Sequence, residues 1–526
     1  MPPQETTSDI VPLMQKPNSE EASTTDEIID DPNVVSTGLV HDFVEFGDKL
    51  IEAEVDTGEV QTKFSWKKLW KYTGPGFLMS VAYLDPGNLE ADLQSGAAAG
   101  YSLLWILLYA HIAGLLIQIL SARCGVVTGK HLAQLIRIHY STPISIVLWL
   151  FTEIAIIGSD IQEIVGTAIA IKILFGLPLW IGTMLTAMDT FLFMLLHNYG
   201  VRKLEAFFMT LIAFMAVCFW VEMFQSEPNV REIVKGMLIP AVPRGAVVQA
   251  VAMIGAVIMP HNLYLHSALV MTRKTDPSSK AKLKEANFYF SIESALALSC
   301  SYLINMAIVV VFARVFHIPG KLKALPGLYD AADVLTKTLG RGARYLWALG
   351  LLSAGQSSTM TGTLAGQYVV EGYFGKIFSK SWHRVAITRG IALMPSMFVA
   401  VFAVGHFDTM GELLNVLQSL CLPCALIPIL KLTSSKEVMG HTFRSHHIWK
   451  YITWGLAFII IGFNLFLFIM YLEELPNLYV GYVCGIIYFA FVLYLAILPI
   501  GEKQEDLEID EMDGYKVIAN RLEIVQ

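Results

Sequence analysis

The chain has 526 residues and a formal charge of −8, with 55% of its residues apolar and only 16% charged. Soluble domains average about 45–50% apolar and about 25% charged residues, so a soluble multidomain protein is excluded. The apolar residues form long runs from about position 72 to position 500, many close to the roughly 20 residues that cross a bilayer. The sequence therefore predicts an all-α integral membrane protein.

The two ends of the chain differ from its middle. Residues 1–62 carry 15 acidic and 2 basic side chains, and residues 501–526 carry 8 and 3. Residues 63–500 must therefore carry +10, because the whole chain carries −8. Both acidic tails have too few apolar residues to form a core, which predicts disorder. The basic residues of the middle segment lie in short loops between apolar runs, so nucleic acid is not an expected partner.

Twelve membrane-spanning helices are predicted from the apolar runs and from the proline, glycine and charged residues that separate them. They cover 73–99, 102–122, 143–175, 178–196, 204–225, 246–271, 286–313, 344–373, 385–404, 411–432, 448–472 and 477–500. An even number of spans places both tails on one side of the bilayer. With that side in the cytosol, inside segments carry 21 Lys and Arg and outside segments carry 9, as the positive-inside rule favours.

Two of these spans are interrupted near their middle. The sequence Asp-Pro-Gly-Asn at 85–88 interrupts the first span, and Met-Pro-His-Asn at 259–262 interrupts the sixth. Proline removes a backbone donor, and backbone groups freed at that depth survive only when they line a cavity or are buried in protein. Two breaks five spans apart predict an inverted repeat, 73–225 against 246–432, followed by two further helices at 448–500. The substrate site is expected where the two breaks meet.

The residues at the breaks indicate a cation. Asp85 is an ionisable group at the bilayer midplane, Asn88 adds an amide oxygen, and the breaks free the carbonyls of Ala82 and Ala256. These oxygens alone would suit Mg²⁺ or Ca²⁺. The thioether of Met259 is a soft donor, which favours a transition metal. The set predicts Mn²⁺ or Fe²⁺, with Cd²⁺ and Co²⁺ also admitted.

The two break motifs, Ala82-Tyr-Leu-Asp-Pro-Gly-Asn88 and Met259-Pro-His-Asn-Leu-Tyr-Leu-His266, together resemble the Nramp (natural resistance-associated macrophage protein) family of divalent-metal transporters, specifically its eukaryotic branch. The resemblance covers about 65–500. It implies a LeuT-like fold of five plus five helices with two more at the C-terminus, and proton-coupled uptake of Mn²⁺ and Fe²⁺ into the cytosol. It also implies metal ligation by the side chains and carbonyls named above.

The tenth span departs from the family pattern. Cys421 and Cys424 stand where Gln and Phe are expected, so a further polar ligand from this helix is left to Asn415 or Gln418. The Cys-Leu-Pro-Cys spacing suits redox or metal chemistry, but small apolar packing residues are the favoured interpretation.

Acidic side chains in the third span predict a proton route. Glu153, Asp160 and Glu163 lie within about 80° of one another on a helix, and intramembrane acids on one face are typical of proton relays. Arg389 of the ninth span is the expected counter-charge. His261 follows the methionine of the second break and belongs to a residue type that titrates near neutral pH. His266 lies five residues further on and is expected to point elsewhere.

Other functions are less well supported. The string Gly125–His131 lacks the spacing of a P-loop, and no activated nucleophile or zinc-protease motif indicates an enzyme. The alternative is a Na⁺-coupled symporter of organic solutes, with hydroxyls of Ser357, Ser358, Thr359 and Thr361 around the Na⁺. No cofactor is expected beyond the transported metal and protons.

The tails carry two short strings that resemble sorting signals, Asp9–Met14 and Tyr515–Ile518. They make sorting adaptors candidate partners beside the lipid bilayer. The expected location is the plasma membrane, an endosomal, lysosomal or vacuolar membrane, or both.

Overall fold

The structure of the protein is a computed structural model. It describes residues 55–56, 60, 63–196, 201–276, 279–318, 325–375, 381–402, 407–472 and 478–500. Almost all of the predicted acidic tail 1–62 and all of the tail 501–526 lie outside the described residues.

The described residues are almost entirely helical. The helices, numbered in chain order, are α1 (Trp66–Tyr72), α2 (Pro75–Ala82), α3 (Pro86–Ala99), α4 (Leu104–Thr128), α5 (Leu132–His139), α6 (Thr142–Phe175), α7 (Leu179–Leu196), α8 (Val201–Gln225), α9 (Val230–Leu238), α10 (Val247–Val257), α11 (Pro260–Leu269), α12 (Lys280–Val315), α13 (Leu328–Leu339), α14 (Arg341–Phe374), α15 (Ser381–Phe402), α16 (Phe407–Ser434), α17 (Lys436–Phe443), α18 (His447–Leu472) and α19 (Leu478–Ile497). Short 3₁₀ turns follow α3 and α11.

A helix, or a pair of helices, lies at each of the twelve predicted spans, and the predicted all-α membrane architecture is confirmed. Among the described residues, seven helical segments are long and apolar enough to cross a membrane. They are Pro86–Thr128, Thr142–Phe175, Glu205–Gln225, Val247–Thr272, Lys280–Val315, Leu413–Ser434 and His447–Phe466. The number of twelve crossings stays a prediction.

Both predicted breaks are present. The first span is divided into α2 and α3, with Asp85 as the N-cap of α3 and Pro86 as its first residue. The sixth span is divided into α10 and α11, with Met259 as the N-cap of α11 and Pro260 as its first residue. Proline fits the first turn of a helix because the missing N–H has no intrahelical partner there. The local sequence at each break therefore specifies the start of a new helix, α3 at the first break and α11 at the second.

Within the described part of the chain, five short helices were not predicted, namely α1, α5, α9, α13 and α17. A parallel pair of two-residue strands, Val55–Asp56 with Arg273–Lys274, was also missed, and it lies partly in the segment predicted to be disordered. Glycines end the second and third spans. Gly129 and Gly176 adopt φ of 65° and 71° directly after α4 and α6, a conformation that glycine tolerates at no steric cost.

Small residues bring the central helices into close contact. A Cβ at Gly166 of α6 would stand 2.3 Å from Pro86, and one at Gly255 of α10 would stand 2.4 Å from the backbone oxygen of Asn415 in α16. A Cβ at Gly96 of α3 would stand 2.4 Å from the Val309 oxygen of α12. These approaches hold α6, α12 and α16 against the two broken spans.

Candidate functional site

The two breaks free one carbonyl each for the same reason. In a continuous helix each C=O accepts from the N–H four residues later. The residue four positions after Ala82 is Pro86, and the residue four positions after Ala256 is Pro260, and neither has an N–H. The carbonyls predicted to bind metal are therefore left without their helical donors by the local sequence.

The side chain of Asn88 joins the two breaks. Its Nδ2 donates to the Ala256 oxygen at 3.0 Å and to Oδ1 of Asp85 at 2.6 Å, while its backbone N–H donates to the same Oδ1 at 2.8 Å. Asp85 is thus held by its own helix, and one hydrogen bond spans 168 residues of sequence. The sequence prediction that the breaks meet is matched by this contact.

Two oxygens at this junction have no hydrogen-bond partner. Oδ2 of Asp85 and Oδ1 of Asn88 are both buried and unpaired, and both residues are only 1% exposed. Buried polar atoms are normally satisfied, so such exceptions need a functional explanation. Met259 is also 1% exposed and lies in the break of the sixth span, as the N-cap of α11. Carboxylate, amide and thioether donors are therefore all buried at the helix breaks.

The two candidate ligands in the tenth span form hydrogen bonds to neighbouring elements. Asn415 donates from Nδ2 to the Gly87 oxygen at 3.1 Å and accepts from Nε2 of Gln162 at 2.8 Å. Gln418 donates to Oε1 of Gln162 at 2.8 Å, and its own Oε1 is buried without a partner. Both side chains therefore reach α6, and Asn415 also reaches the first break.

Gln162 is a residue that sequence reasoning missed. A Cβ at Gly87 would stand 2.6 Å from its Oε1, so the amide lies directly against the first break. A small cavity of about 10 Å³ beside it is also lined by Pro86, Glu90 and Gly411. Gln162 lies two residues after Asp160, on a different face of α6 from the acids that drew attention in the sequence.

The acidic pair predicted on α6 converges on one glycine of α14. A Cβ at Gly362 would stand 3.1 Å from Oδ1 of Asp160 and 3.2 Å from Oε1 of Glu163, so both carboxyls border the same point. Asp160 and Glu163 are 2% and 1% exposed, and Ser159 donates to Glu163 at 3.2 Å. Glu153 lies two turns earlier and is only half-buried. The pair that shares a contact is thus Asp160 with Glu163.

The other predicted proton-route residues are more scattered. Arg389 lies in α15, but its side chain is outside the described residues. His261 is 2% exposed in the first turn of α11, with an unpaired Nδ1. His266 lies between Gln118 of α4 and Ser294 of α12, each at 3.4 Å. His266 of α11 therefore links its own helix to α4 and α12.

A polar cluster that the sequence analysis did not predict lies at the N-terminal end of α2, where the first span begins. Oε1 of Glu293 in α12 accepts from the backbone N–H groups of Gly74 and Gly76 at 2.7 and 2.8 Å. Arg273 donates to Glu205 of α8 at 2.7 Å and to the Thr73 oxygen at 2.7 Å. Glu293 satisfies the orphan donors of a helix N-terminus. An acid inside the apolar seventh span was the signal that could have revealed it.

The remaining cysteine prediction concerns the tenth span. Cys421 and Cys424 are buried, and neither forms a disulfide. The described residues also contain no group of three or more His, Cys, Asp or Glu side chains able to hold a metal ion.

Comparison with known proteins decides the family. Residues 76–470 match the family described as natural resistance-associated macrophage protein-like. The chain belongs to the Nramp family. It is 49% identical over 415 residues to the metal transporter nramp1 homolog of Dictyostelium discoideum, covering 78% of this chain and 77% of that protein. It is 47% identical over 453 residues to metal transporter Nramp2 of Populus trichocarpa, covering 84% of each. The predicted eukaryotic branch of the family is thereby confirmed.

A solved structure of the same architecture supports the fold. The crystal structure of a single-residue mutant of the Eremococcus coleocola manganese transporter is 28% identical in sequence to this chain, with a TM-score of 0.75. The alignment covers 89% of this chain and 98% of that one. Nramp proteins are membrane transporters of metals and not enzymes, which agrees with the sequence prediction.

Proposed function

We propose that this Nramp protein is a proton-coupled symporter that imports divalent transition metals into the cytosol by alternating access. Mn²⁺ and Fe²⁺ are the proposed substrates, and Cd²⁺ and Co²⁺ are expected to follow the same route. The observation that carries the proposal is the 3.0 Å bond from Asn88 to the Ala256 carbonyl, which joins the two helix breaks. The names of the relatives, all metal transporters, and of the manganese transporter support it.

The proposed metal ligands divide into hard and soft donors. Asp85, Asn88 and the carbonyls of Ala82 and Ala256 supply oxygens, and Met259 supplies sulfur. Oxygen donors alone would hold Ca²⁺ or Mg²⁺, and the thioether shifts the preference towards transition metals. Because the site has one carboxylate, a bound divalent ion leaves net positive charge in a pocket of low dielectric constant. A proton nearby then becomes harder to hold.

Asp160 and Glu163 are the proposed acceptors of that proton. Their carboxyls border Gly362 together, and α6 contacts the first break through Gln162 and Gly166. The acid pair is thus on the helix that packs against the metal site. Arg389 is proposed as the counter-charge, and His261, His266 and Glu153 as further members of the route. No cofactor is part of the proposal, since metal and protons are the cargo.

The Na⁺-coupled alternative gains no support from α14. Ser357 and Ser358 donate to the carbonyls of Ser353 and Ala354, at 2.7 and 2.8 Å, within their own helix. These hydroxyls are engaged in the way that is common for serine in apolar helices. No contact among the described residues favours this function over metal transport.

The orientation is proposed from the distribution of charge. Both tails are placed in the cytosol, and the protein in the plasma membrane or an endosomal, lysosomal or vacuolar membrane. The sorting strings of the two tails make adaptor proteins the proposed partners there.

Substitution of Asp85 tests metal binding. Asp85→Ala removes the only charged group of the proposed site, so tight Mn²⁺ binding measured by calorimetry should vanish. Asp330→Ala, an exposed acid on α13, is the control and should bind as the wild type does. Retained tight binding by Asp85→Ala would place the site elsewhere.

Substitution of Asp160 tests coupling. Asp160→Asn should bind Mn²⁺ normally but lose Mn²⁺-dependent acidification of proteoliposomes, because the carboxyl that receives the proton is missing. Metal flux and internal pH are recorded together, with Asp330→Asn as the control. Wild-type metal-to-proton stoichiometry in Asp160→Asn would refute the route through α6.

A further inference from the structure

Oxygen-bearing side chains continue beyond the helix breaks along one face of α3. Asp85, Asn88, Asp92 and Ser95 are spaced three, four and three residues apart. At about 100° per residue they fall within roughly 80° of one another. With a rise of about 1.5 Å per residue, Asp92 lies about 10 Å and Ser95 about 15 Å along the helix from Asp85. The row runs from the breaks to the end of α3, away from α2.

Every member of this row is buried and has an unpaired oxygen. The exposed fractions are 1% for Asp85, Asn88 and Asp92 and 0% for Ser95. Oδ2 of Asp92 and Oγ of Ser95 have no hydrogen-bond partner, like the oxygens of Asp85 and Asn88 described above. Native proteins rarely leave buried polar atoms unpaired. Four such oxygens on one helix face call for a common explanation.

The two carboxyls on this face have no cationic side chain as a partner. None of the ion pairs among the described residues includes Asp85 or Asp92. A buried carboxylate without a partner is strongly disfavoured unless a cation or a proton accompanies it. Two buried ion pairs are present among the described residues, Lys68 with Glu285 and Arg273 with Glu205, and neither includes a residue of α3.

The helix that contacts this row at Asn88 adds a further polar side chain. α10 is joined to α3 through the Asn88–Ala256 bond and runs in the opposite direction, towards the break rather than away from it. Gln249 lies seven residues before Ala256, and Ser95 lies seven residues after Asn88. Equal spacing on two antiparallel helices puts Gln249 at about the height of Ser95. Gln249 is 5% exposed, so an amide is buried at this level too.

We propose that Asp92 and Ser95, with Asn88 at its inner end, form a second cation site on the outer side of the helix breaks. A divalent cation is held there by oxygen donors before it moves inward to Asp85 and Met259. Without a sulfur donor this outer site accepts Ca²⁺ and Mg²⁺ as well as Mn²⁺, so selection for transition metals occurs only at the inner site. The inference rests on the proposed metal transport.

Asp92→Asn in the full-length protein tests the outer site, because it removes the charge and keeps the shape. Uptake of radiolabelled Mn²⁺ into proteoliposomes should show a KM raised about tenfold or more with an almost unchanged maximal rate. Inhibition of uptake by Ca²⁺ should weaken in the same variant, because Ca²⁺ loses the site at which it competes. Calorimetry should still detect tight Mn²⁺ binding at the inner site.

Glu90→Gln is the matched control. Glu90 is a buried acid of the same helix, but it lies about 140° around from Asp85 and borders Gly411 of α16 instead. Its substitution should leave inhibition by Ca²⁺ unchanged. Ser95→Ala is a second variant for the case in which Asp92→Asn does not fold, and it should raise KM in the same direction by a smaller factor.

The outcomes separate the outer site from the proposed function. Wild-type protein that neither binds nor transports Mn²⁺ would overturn the proposed function and the outer site together. The outer site alone would be overturned if the wild type transports Mn²⁺ normally and Asp92→Asn has the same KM and the same inhibition by Ca²⁺ as the wild type. If Asp92→Asn does not fold, the same result in Ser95→Ala would overturn it. A lowered maximal rate with unchanged KM would also overturn it, because Asp92 would then act in a later step or in folding.

Discussion

Substitution of Pro260 by alanine tests whether the helix break makes the Ala256 carbonyl available to metal. The substitution supplies the N–H that a continuous helix would donate to that carbonyl. A net hydrogen bond stabilises by about 0.5–1.5 kcal/mol, and a metal ion would have to displace it. Because 1.4 kcal/mol corresponds to a factor of ten in affinity, the Kd for Mn²⁺ should rise about two- to twelve-fold.

The same substitution should not lower stability. Proline inside a helix costs about 3 kcal/mol, so alanine removes a barrier to joining α10 and α11, and the thermal midpoint should stay equal or rise. Calorimetry of Mn²⁺ binding and thermal unfolding in the same detergent provide the two readings. Pro395→Ala, an exposed proline inside α15, is the control and should leave Kd unchanged. Unchanged Mn²⁺ affinity in Pro260→Ala would refute the reasoning, as would a loss of both affinity and stability.

Three further predictions concern selectivity, packing and pH. Met259→Ala should keep part of the Mn²⁺ transport but let Ca²⁺ or Mg²⁺ compete at the inner site as well, so that Ca²⁺ inhibits uptake more strongly than in the wild type. Inhibition by millimolar Ca²⁺ equal to that of the wild type would contradict the role of the thioether. Gly255→Ala should lower stability by about 1–3 kcal/mol, because its Cβ would stand 2.4 Å from the Asn415 oxygen, whereas Gly455→Ala, with open space around it, should raise the thermal midpoint slightly. Burial lowers the pKa of His131, in the loop before α5, to about 3, below its ordinary value of 6.5. At pH values between 3 and 6.5 the folded state therefore binds fewer protons than the unfolded state. The contribution of His131 to the free energy of unfolding is complete above about pH 6.5 and is lost as the pH falls. The loss from His131 should reach about 2 kcal/mol at pH 5 and be missing in His131→Gln, as thermal unfolding across pH 5–8 would show.

The sequence predicted the structure best where nearby residues alone determine the backbone conformation or the helix face. Proline forbids a donor, so the positions of Pro86 and Pro260 alone located both breaks and both freed carbonyls. The helical period likewise placed Asp160 and Glu163 on one face, where the structure shows both at Gly362. Such predictions depend only on residues within a few positions of one another.

The contacts that could not be predicted are those between distant helices. Gln162 looked like one polar residue among several, and only the packing of α6 against α16 shows that it binds Asn415 and Gln418. Arg273 is one of the 21 Lys and Arg that the sequence analysis counted in the inside segments, although it is 1% exposed and donates to Glu205 of α8. In both cases the partner is set by how helices cross, which one sequence does not specify.

The bond between Asn88 and Ala256 also has a consequence for biosynthesis. Its two ends are 168 residues apart in the sequence. At roughly 5–20 residues per second, a ribosome therefore synthesises Ala256 about 8–34 s after Asn88. The first broken helix is thus made well before the segment that completes it. During this interval Asp85 has only the contacts of its own half of the protein. A chain that stops before position 256 therefore leaves an acidic, broken helix without the segment that contacts it in the finished protein.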